Sequence, residues 1–206
     1  MNVACKGEKN ENGEAGEVAT ATAESTTYVV DTKASAIEWI GSKPAGKHNG
    51  TINLKSGEVA VKNDSIQSGK FVIDMNSIVV TDLKAGDGKE DLEAHLKGTG
   101  DKEGEDHFFN VGKFPEGMFE ITSITSENGK ATVNGNLTLK GVTKPVNFPA
   151  TVAYEGNNMT LTSDSFQINR TQWNVNYASK SIFDDLKDKF VNDEIELVVK
   201  LKATKQ

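Results

Sequence analysis

Few side chains in this chain of 206 residues have the types and spacing that chemistry requires. Asp91 and His95 stand four apart in the run Asp91-Leu92-Glu93-Ala94-His95-Leu96, so a helix there would bring a carboxylate and an imidazole together on its surface. Such a pair can act as a general base, the carboxylate orienting the ring. The plainer reading is an ion pair that stabilises the helix, or a histidine held by a hydrogen bond. Asp101, Glu103, Glu105 and Asp106 offer oxygen ligands for calcium, but Lys102 sits among them and the order departs from an EF-hand loop, so a solvated loop is the expectation. Arg170 is the only arginine among 23 Lys and Arg residues. Its planar fork suits a fixed carboxylate, stacking on Trp173, or a phosphate, and pairing within the fold is a frequent use of a lone guanidinium. There is no Gly-x-Ser-x-Gly elbow, no His-Glu-x-x-His and no phosphate-cradling glycine loop, and His48, His95 and His107 are too few and too oddly spaced for a zinc motif. No catalytic residue, no metal ligand and no cofactor is assigned on these grounds.

The elements that must position these residues are mostly strands. A short helix is predicted around Asp91, with Asp87 and Glu90 as a capping box, Leu92 and Leu96 on one face and Gly98 as its stop. On either side the apolar period is two. Ile37 and Trp39 share a face, Phe71, Ile73 and Met75 alternate with polar neighbours, and Asn63-Asp64 is a hairpin turn between Thr51–Val61 and Ser65–Met75. Further on, Phe119 and Ile121 alternate, Asn128-Gly129 is a type I′ turn, and Val133, Gly135, Leu137 and Leu139 line the returning strand, where Gly135 reads as a bulge or bend. Val146, Phe148, Val152 and Tyr154 follow, then a turn at Glu155–Asn158, then Met159, Leu161, Phe166 and Ile168. Ile182, Leu186 and Phe190 recur every fourth residue, which predicts a second amphipathic helix over Ser181–Phe190 before a last strand, Glu194–Ala203. Eight sequential strands suit an up-and-down barrel or a two-sheet sandwich, and periodicity alone leaves both open.

Charge narrows the function. The net charge of −7 is concentrated in residues 1–26 and 82–106, and no basic stripe exists for a phosphate backbone to follow, so nucleic acid is not an expected partner. No apolar run is long enough to cross a bilayer as a helix. Cys5 is the only cysteine, so an intramolecular disulfide is excluded. Val3-Ala4-Cys5 followed by a polar stretch reads as the end of a bacterial lipoprotein signal, with the thiol as lipid acceptor and the apolar region before it removed. Residues 1–26 are accordingly expected to be a disordered tether and 27–206 the folded domain.

Several stretches carry a resemblance. Asp91-x-x-x-His95-Leu96, Phe108-Phe109-x-Val111, Lys113-Phe114-Pro115 and Phe119 form one ordered set. Tyr28-Val29-Val30-Asp31 with Ser35 and Trp39 precede it, and Gly135 to Val146 and Ile168-Asn169-Arg170-Thr171 follow. From about Tyr28 to Ala203 this order resembles the YceI-like family of bacterial polyisoprenoid-binding barrels; the insertion Gly98–Asp106 departs from its shorter members. The resemblance favours the barrel over the sandwich and implies an all-β fold, an eight-stranded antiparallel lipocalin-like barrel with one or two short helices at its ends. It further implies a long-chain isoprenoid or similar amphiphilic lipid as ligand, a place in the bacterial cell envelope as a periplasm-facing or surface lipoprotein, membrane contact through the Cys5 anchor only, and a homodimer as an allowed assembly. Trp39, Phe71, Ile73, Met75, Phe109, Phe119, Leu137, Phe148 and Phe166, at alternate strand positions or in the hinge, are the expected ligand-lining residues, joined by His95 and Arg170. Burying one five-carbon unit yields about 4 kcal/mol, so several units outweigh an association cost of about 4–15 kcal/mol with little help from a head group. The competing readings are an enzyme acting on a lipid-like substrate through Asp91 and His95, and an envelope module with a filled core.

Overall fold

The computed structural model describes residues 13–206; Cys5 and its expected lipidation lie outside them. Tight turns set the strand pairing. Asn63 and Asp64 both take positive φ (50° and 56°), as do Asn128 and Gly129 (53° and 77°) and Lys140 and Gly141 (48° and 73°), the backbone that matches a two-residue turn to the twist of its strands. The strands so joined are β1 (Thr26–Val30), β2 (Ala36–Lys43), β3 (Gly46–Lys62), β4 (Ser65–Asp74), β5 (Val79–Val80), β6 (Glu116–Glu127), β7 (Lys130–Leu139), β8 (Val142–Glu155), β9 (Asn158–Ser163), β10 (Phe166–Asn169) and β11 (Glu194–Lys205), with one α-helix, α1 (Lys89–Lys97), between β5 and β6.

The antiparallel sheet runs β11-β2-β3-β4-β6-β7-β8-β9 and closes on itself through β9 and β11. That ring of eight strands is the expected barrel. The three remaining strands share ring positions with neighbours in sequence. β1 pairs both β3 and β11 beyond the end of β2, β10 pairs β11 where β9 has left it, and β5 pairs β3 at Gly50 and Thr51 where β4 has left it.

Two expectations about local structure change. Gly135 keeps its register opposite Ile121, and the irregularity lies in the partner strand, between Ile121 and Ser123. The glycine is needed for space: a Cβ there would lie 2.2 Å from the tip of the Phe119 ring, which crosses it. Ser181–Phe190 is not a helix. It is a series of turns with one 3-10 turn at Lys187–Lys189, because Ala178 and Lys187 take positive φ (48° and 49°) and because Ser179 bridges Val191 while Ser181 donates to Asp193. Held at both ends, the segment half-buries Leu186 and Phe190 and leaves Ile182 and Phe183 exposed.

Part of the expected tether also touches the barrel. The Asn136 amide donates to the Gly16 carbonyl (2.7 Å) and accepts from the Gly16 N–H (2.9 Å), and the Ala19 N–H donates to the Ile121 carbonyl at the β6 irregularity (2.9 Å). Asn136 is therefore a buried polar residue on the outer face of β7, satisfied by the segment that covers it. No helix among the described residues is long and apolar enough to cross a membrane.

Candidate functional site

The barrel interior differs along its axis. At the end where β3 turns into β4 and β6 into β7, Tyr28, Val59, Ala131, Ala150, Met159 and Ala203 are buried and packed together. At the other end, under α1 and the segment from Arg170 to Asp193, the barrel contains a cavity of about 370 Å³, within the range of small-molecule sites. All of the expected lining residues are in its wall: Trp39, Phe71, Ile73, Met75, Phe109, Phe119, Leu137, Phe148 and Phe166, together with His95 and Arg170.

Strand register explains the wall. Phe71 lies directly opposite Phe119 across β4 and β6, with ring centroids 6.3 Å apart. Phe119 then meets Phe148 of β8 at 5.7 Å, and Phe148 stacks on Phe166 of β10 at 4.6 Å and 17°. The four rings form a continuous band across the interior, at separations typical of attractive aromatic contacts. Trp39 stands opposite Gly50, and a Cβ there would lie 2.6 Å from the indole, so the glycine admits the ring. The Trp39 Nε1–H is buried and has no hydrogen-bond partner.

Asp91 and His95 do not pair. Asp91 is exposed, and His95 instead shares a hydrogen bond of 2.9 Å between its Nδ1 and the Nε2 of His107. The inserted loop folds back so that His107 reaches the helix: Gly98 ends α1 in the left-handed conformation (φ 68°), and a Cβ on it would lie 2.3 Å from the His107 carbonyl. Tyr177 meets both imidazoles edge-on, at 4.6 Å from His95 and 4.9 Å from His107. Burial lowers the pKa of both histidines; for His95 the charges of His107, Lys102 and Lys43 add to it, and for His107 Lys102 and Lys140 add while Glu105 opposes. The helix is fixed differently than expected too. Glu93, not a capping box, ties it to the barrel by accepting the Val80 N–H at 2.9 Å, while Gly88 caps without a side chain and Glu90 accepts from Gly86.

Arg170 is almost wholly buried, and each of its three nitrogens is hydrogen-bonded. Nε donates to the Asn192 carbonyl (3.1 Å), Nη1 to the Val175 carbonyl and Nη2 to the Val191 carbonyl (3.0 Å), with Asp193 at 3.5 Å. The guanidinium thus holds the loop between β10 and β11, and its other face lies 5.7 Å over the Phe108 ring. Burial tends to raise the Asp193 pKa, but the hydroxyls of Ser181 and Ser179 and the Arg170 charge outweigh it and hold the carboxyl below its ordinary value. Trp173, placed by the 3-10 turn after Arg170, donates to the Leu137 carbonyl at 2.9 Å. Asp106, from the expected solvated cluster, pairs at 2.6 Å with buried Lys140, whose ammonium also donates to the Asn174 carbonyl.

The wall contains residues that the sequence did not assign to the lining. Ile195, Leu197 and Val199 face the cavity from β11, and their alternation is visible in the sequence. Phe108 and Tyr177 sit at the opening on irregular backbone, and no periodicity marks them.

The fold and this apolar interior define a class of closed β-barrels with a single-ligand cavity. Residues 28–203 match the YceI-like domain, and the chain belongs to that family. It is 36% identical over 96 residues to a UPF0312 protein of Pseudomonas paraeruginosa, a match covering 47% of this chain and 43% of that one. It is 47% identical over 49 residues to Protein YceI of Salmonella arizonae, covering 24% and 26%. The chain thus aligns with less than half the length of these curated relatives. Among solved structures, Burkholderia cenocepacia BcnA superposes with a TM-score of 0.65 at 24% identity over 85% of this chain and 99% of that one. A polyisoprenoid binding domain from Saccharophagus degradans gives 0.62 at 12% identity over 88% and 99%. These similarities show a shared fold.

Proposed function

We propose that this protein is a non-enzymatic carrier that holds a long-chain isoprenoid, or a similar amphiphilic lipid, in the barrel cavity. The observation that carries the reading is the unbroken aromatic band from Phe71 to Phe166 within a cavity whose wall, among the described residues, contains no carboxylate. An apolar chain needs shape and area rather than polar contacts, and this wall supplies them. The name of the Saccharophagus degradans structure, a polyisoprenoid binding domain, points the same way. Polar side chains of the lining include Lys43, His48, Lys189 and Asn192, and the unpaired Trp39 N–H and the His95 ring are two groups that a ligand oxygen could meet. The enzyme reading loses its pair, since no carboxylate orients His95. In the same proposal Cys5 carries a lipid anchor in a bacterial envelope.

The test is native mass spectrometry of the Cys5→Ser chain, followed by organic extraction. A stoichiometric long-chain lipid is expected. A clean apo mass that does not shift on adding polyprenyl or quinone lipids overturns the carrier reading.

A further inference from the structure

An insoluble ligand must pass between its cavity and a bilayer, and the mouth of this cavity has an uneven surface. Among the described residues five large apolar side chains are exposed, and three of them belong to one segment beside the opening: Tyr177, Ile182 and Phe183, at 43%, 45% and 48% exposure. The segment is anchored at both ends to the cavity. Tyr177 on one side and Lys189 and Val191 on the other line the cavity, and Ser179 bridges Val191 between them. Ile182 and Phe183 therefore stand at the tip of a loop whose base is the rim. Tyr177, on the same segment, is both a lining residue and exposed to solvent. A helix would have turned Ile182 inward with Leu186 and Phe190; the positive φ at Ala178 and Lys187 instead presents it to solvent.

We infer that Ile182 and Phe183, with Tyr177 behind them, are a membrane-docking tip that seats the cavity mouth on a lipid bilayer while ligand transfers. This rests on the carrier reading of the cavity. The occupant is a bilayer because the tip stands on a segment whose Tyr177, Lys189 and Val191 line the lipid cavity, and because adjacent exposed apolar side chains on a loop suit the interface between head groups and acyl chains. The loop's charges define the kind of surface. Lys180, Lys187 and Lys189 are matched by Asp184, Asp185 and Asp188, so the tip has no net charge. Docking is thus driven by apolar insertion and is insensitive to salt and to anionic lipid, unlike the binding of a polybasic patch.

The test compares the 206-residue chain with its Ile182→Ser/Phe183→Ser variant. Both side chains are exposed, so the variant keeps the thermal midpoint and circular dichroism of the parent. The readouts are sedimentation with phosphatidylcholine vesicles, with or without phosphatidylglycerol, and the rate at which a pyrene-labelled isoprenol moves between vesicles. The parent is expected to partition about tenfold more strongly than the variant, to the same extent on both vesicles and at both low and high salt. Transfer is expected to slow in parallel, with equilibrium uptake of the isoprenol unchanged. Equal partitioning of parent and variant overturns the inference, and so does partitioning that needs phosphatidylglycerol. A concentration-dependent dimer lost in the variant, without any change in vesicle binding, overturns it in favour of a second copy as the occupant. Vesicle partitioning that depends on the tip in a protein that takes up no isoprenol supports the docking surface while refuting the carrier reading.

Discussion

The two ends of the barrel are built from the same alternating strands and come out differently. At the closed end the side chains that meet on the axis are apolar and include several alanines, with Met159 and Ala203 fully buried and Ala131 opposite Ala150. Small residues let the strands converge, and two-residue turns at Asn63-Asp64 and Asn128-Gly129 leave no loop to intervene. At the open end the rings of Phe71, Phe119, Phe148 and Phe166 dominate the wall and surround a space. The longest connections lie there, and buried charge holds them alongside buried Phe108, Val111, Trp173 and Val175: Arg170 on three carbonyls and Lys140 on Asp106 and Asn174. One end is thus a core and the other a frame, and the frame makes the cavity possible.

If that contrast is right, the largest loss of stability comes from breaking the frame. Replacing Arg170 with Leu orphans the Val175, Val191 and Asn192 carbonyls and removes the charge beside the Asp193 carboxylate, and is expected to cost about 3–5 kcal/mol in urea unfolding. A loss below about 1 kcal/mol would show that the loop is held by something else. Met159→Ala at the closed end is expected to cost about 2–5 kcal/mol and to leave lipid uptake unchanged, because the hole it makes is remote from the aromatic band. Phe166→Ala should do the reverse. Its ring is half-buried against the cavity, so unfolding free energy falls by about 1–2 kcal/mol while the amount or chain length of co-extracted lipid changes. If Met159→Ala altered the lipid and Phe166→Ala did not, the division between core and cavity would be misplaced.

The N-terminal strap tests a smaller effect. Asn136→Ala removes both bonds to Gly16 and is expected to cost about 1 kcal/mol and to speed proteolysis before residue 26, with the barrel itself intact. The bonds explain why composition misjudged this segment. Low hydrophobicity says only that residues 13–25 lack a core of their own; they borrow an acceptor at the β6 irregularity and an amide that β7 presents.

What was legible in the sequence followed from periodicity and turn chemistry. Alternation placed Trp39, Phe71, Phe119, Phe148 and Phe166 on inward faces, and Asn-Asp and Asn-Gly pairs marked their turns. The closure of the ring was not legible, because β9 and β11 pair across a separation that no local pattern encodes. The four-residue spacing of Ile182, Leu186 and Phe190 is a helical period without a helix, overridden by the bonds that tie Ser179 and Ser181 to Val191 and Asp193. His95 was legible as a residue with chemical potential but not in its partner, since His107 arrives from twelve residues on, just past the insertion.

That histidine pair gives the sharpest separation between the two ends, because it responds to pH and the closed core does not. In the folded protein both rings are pushed below the ordinary value of 6.5, chiefly by burial, so the folded state binds protons less readily than the unfolded chain. Stability contributed by the pair is complete above pH 6.5 and declines as pH falls from there through the folded pKa values. A shared Nδ1–Nε2 hydrogen bond requires at least one neutral ring, so double protonation also breaks the contact itself, under the charges of Lys43, Lys102 and Lys140 with only Glu105 opposing. Asp106 and Asp193 have carboxyl pKa values held below 3.8, so their contribution disappears only at lower pH and does not overlap. The thermal midpoint is therefore expected to drop as pH falls below 6.5, and the drop should shrink in His95→Gln/His107→Gln. Amide exchange should show the protection of α1 falling in the same window while that of β1 and β9 stays level. Uniform loss of protection across both ends would mean that the frame and the core unfold as one unit.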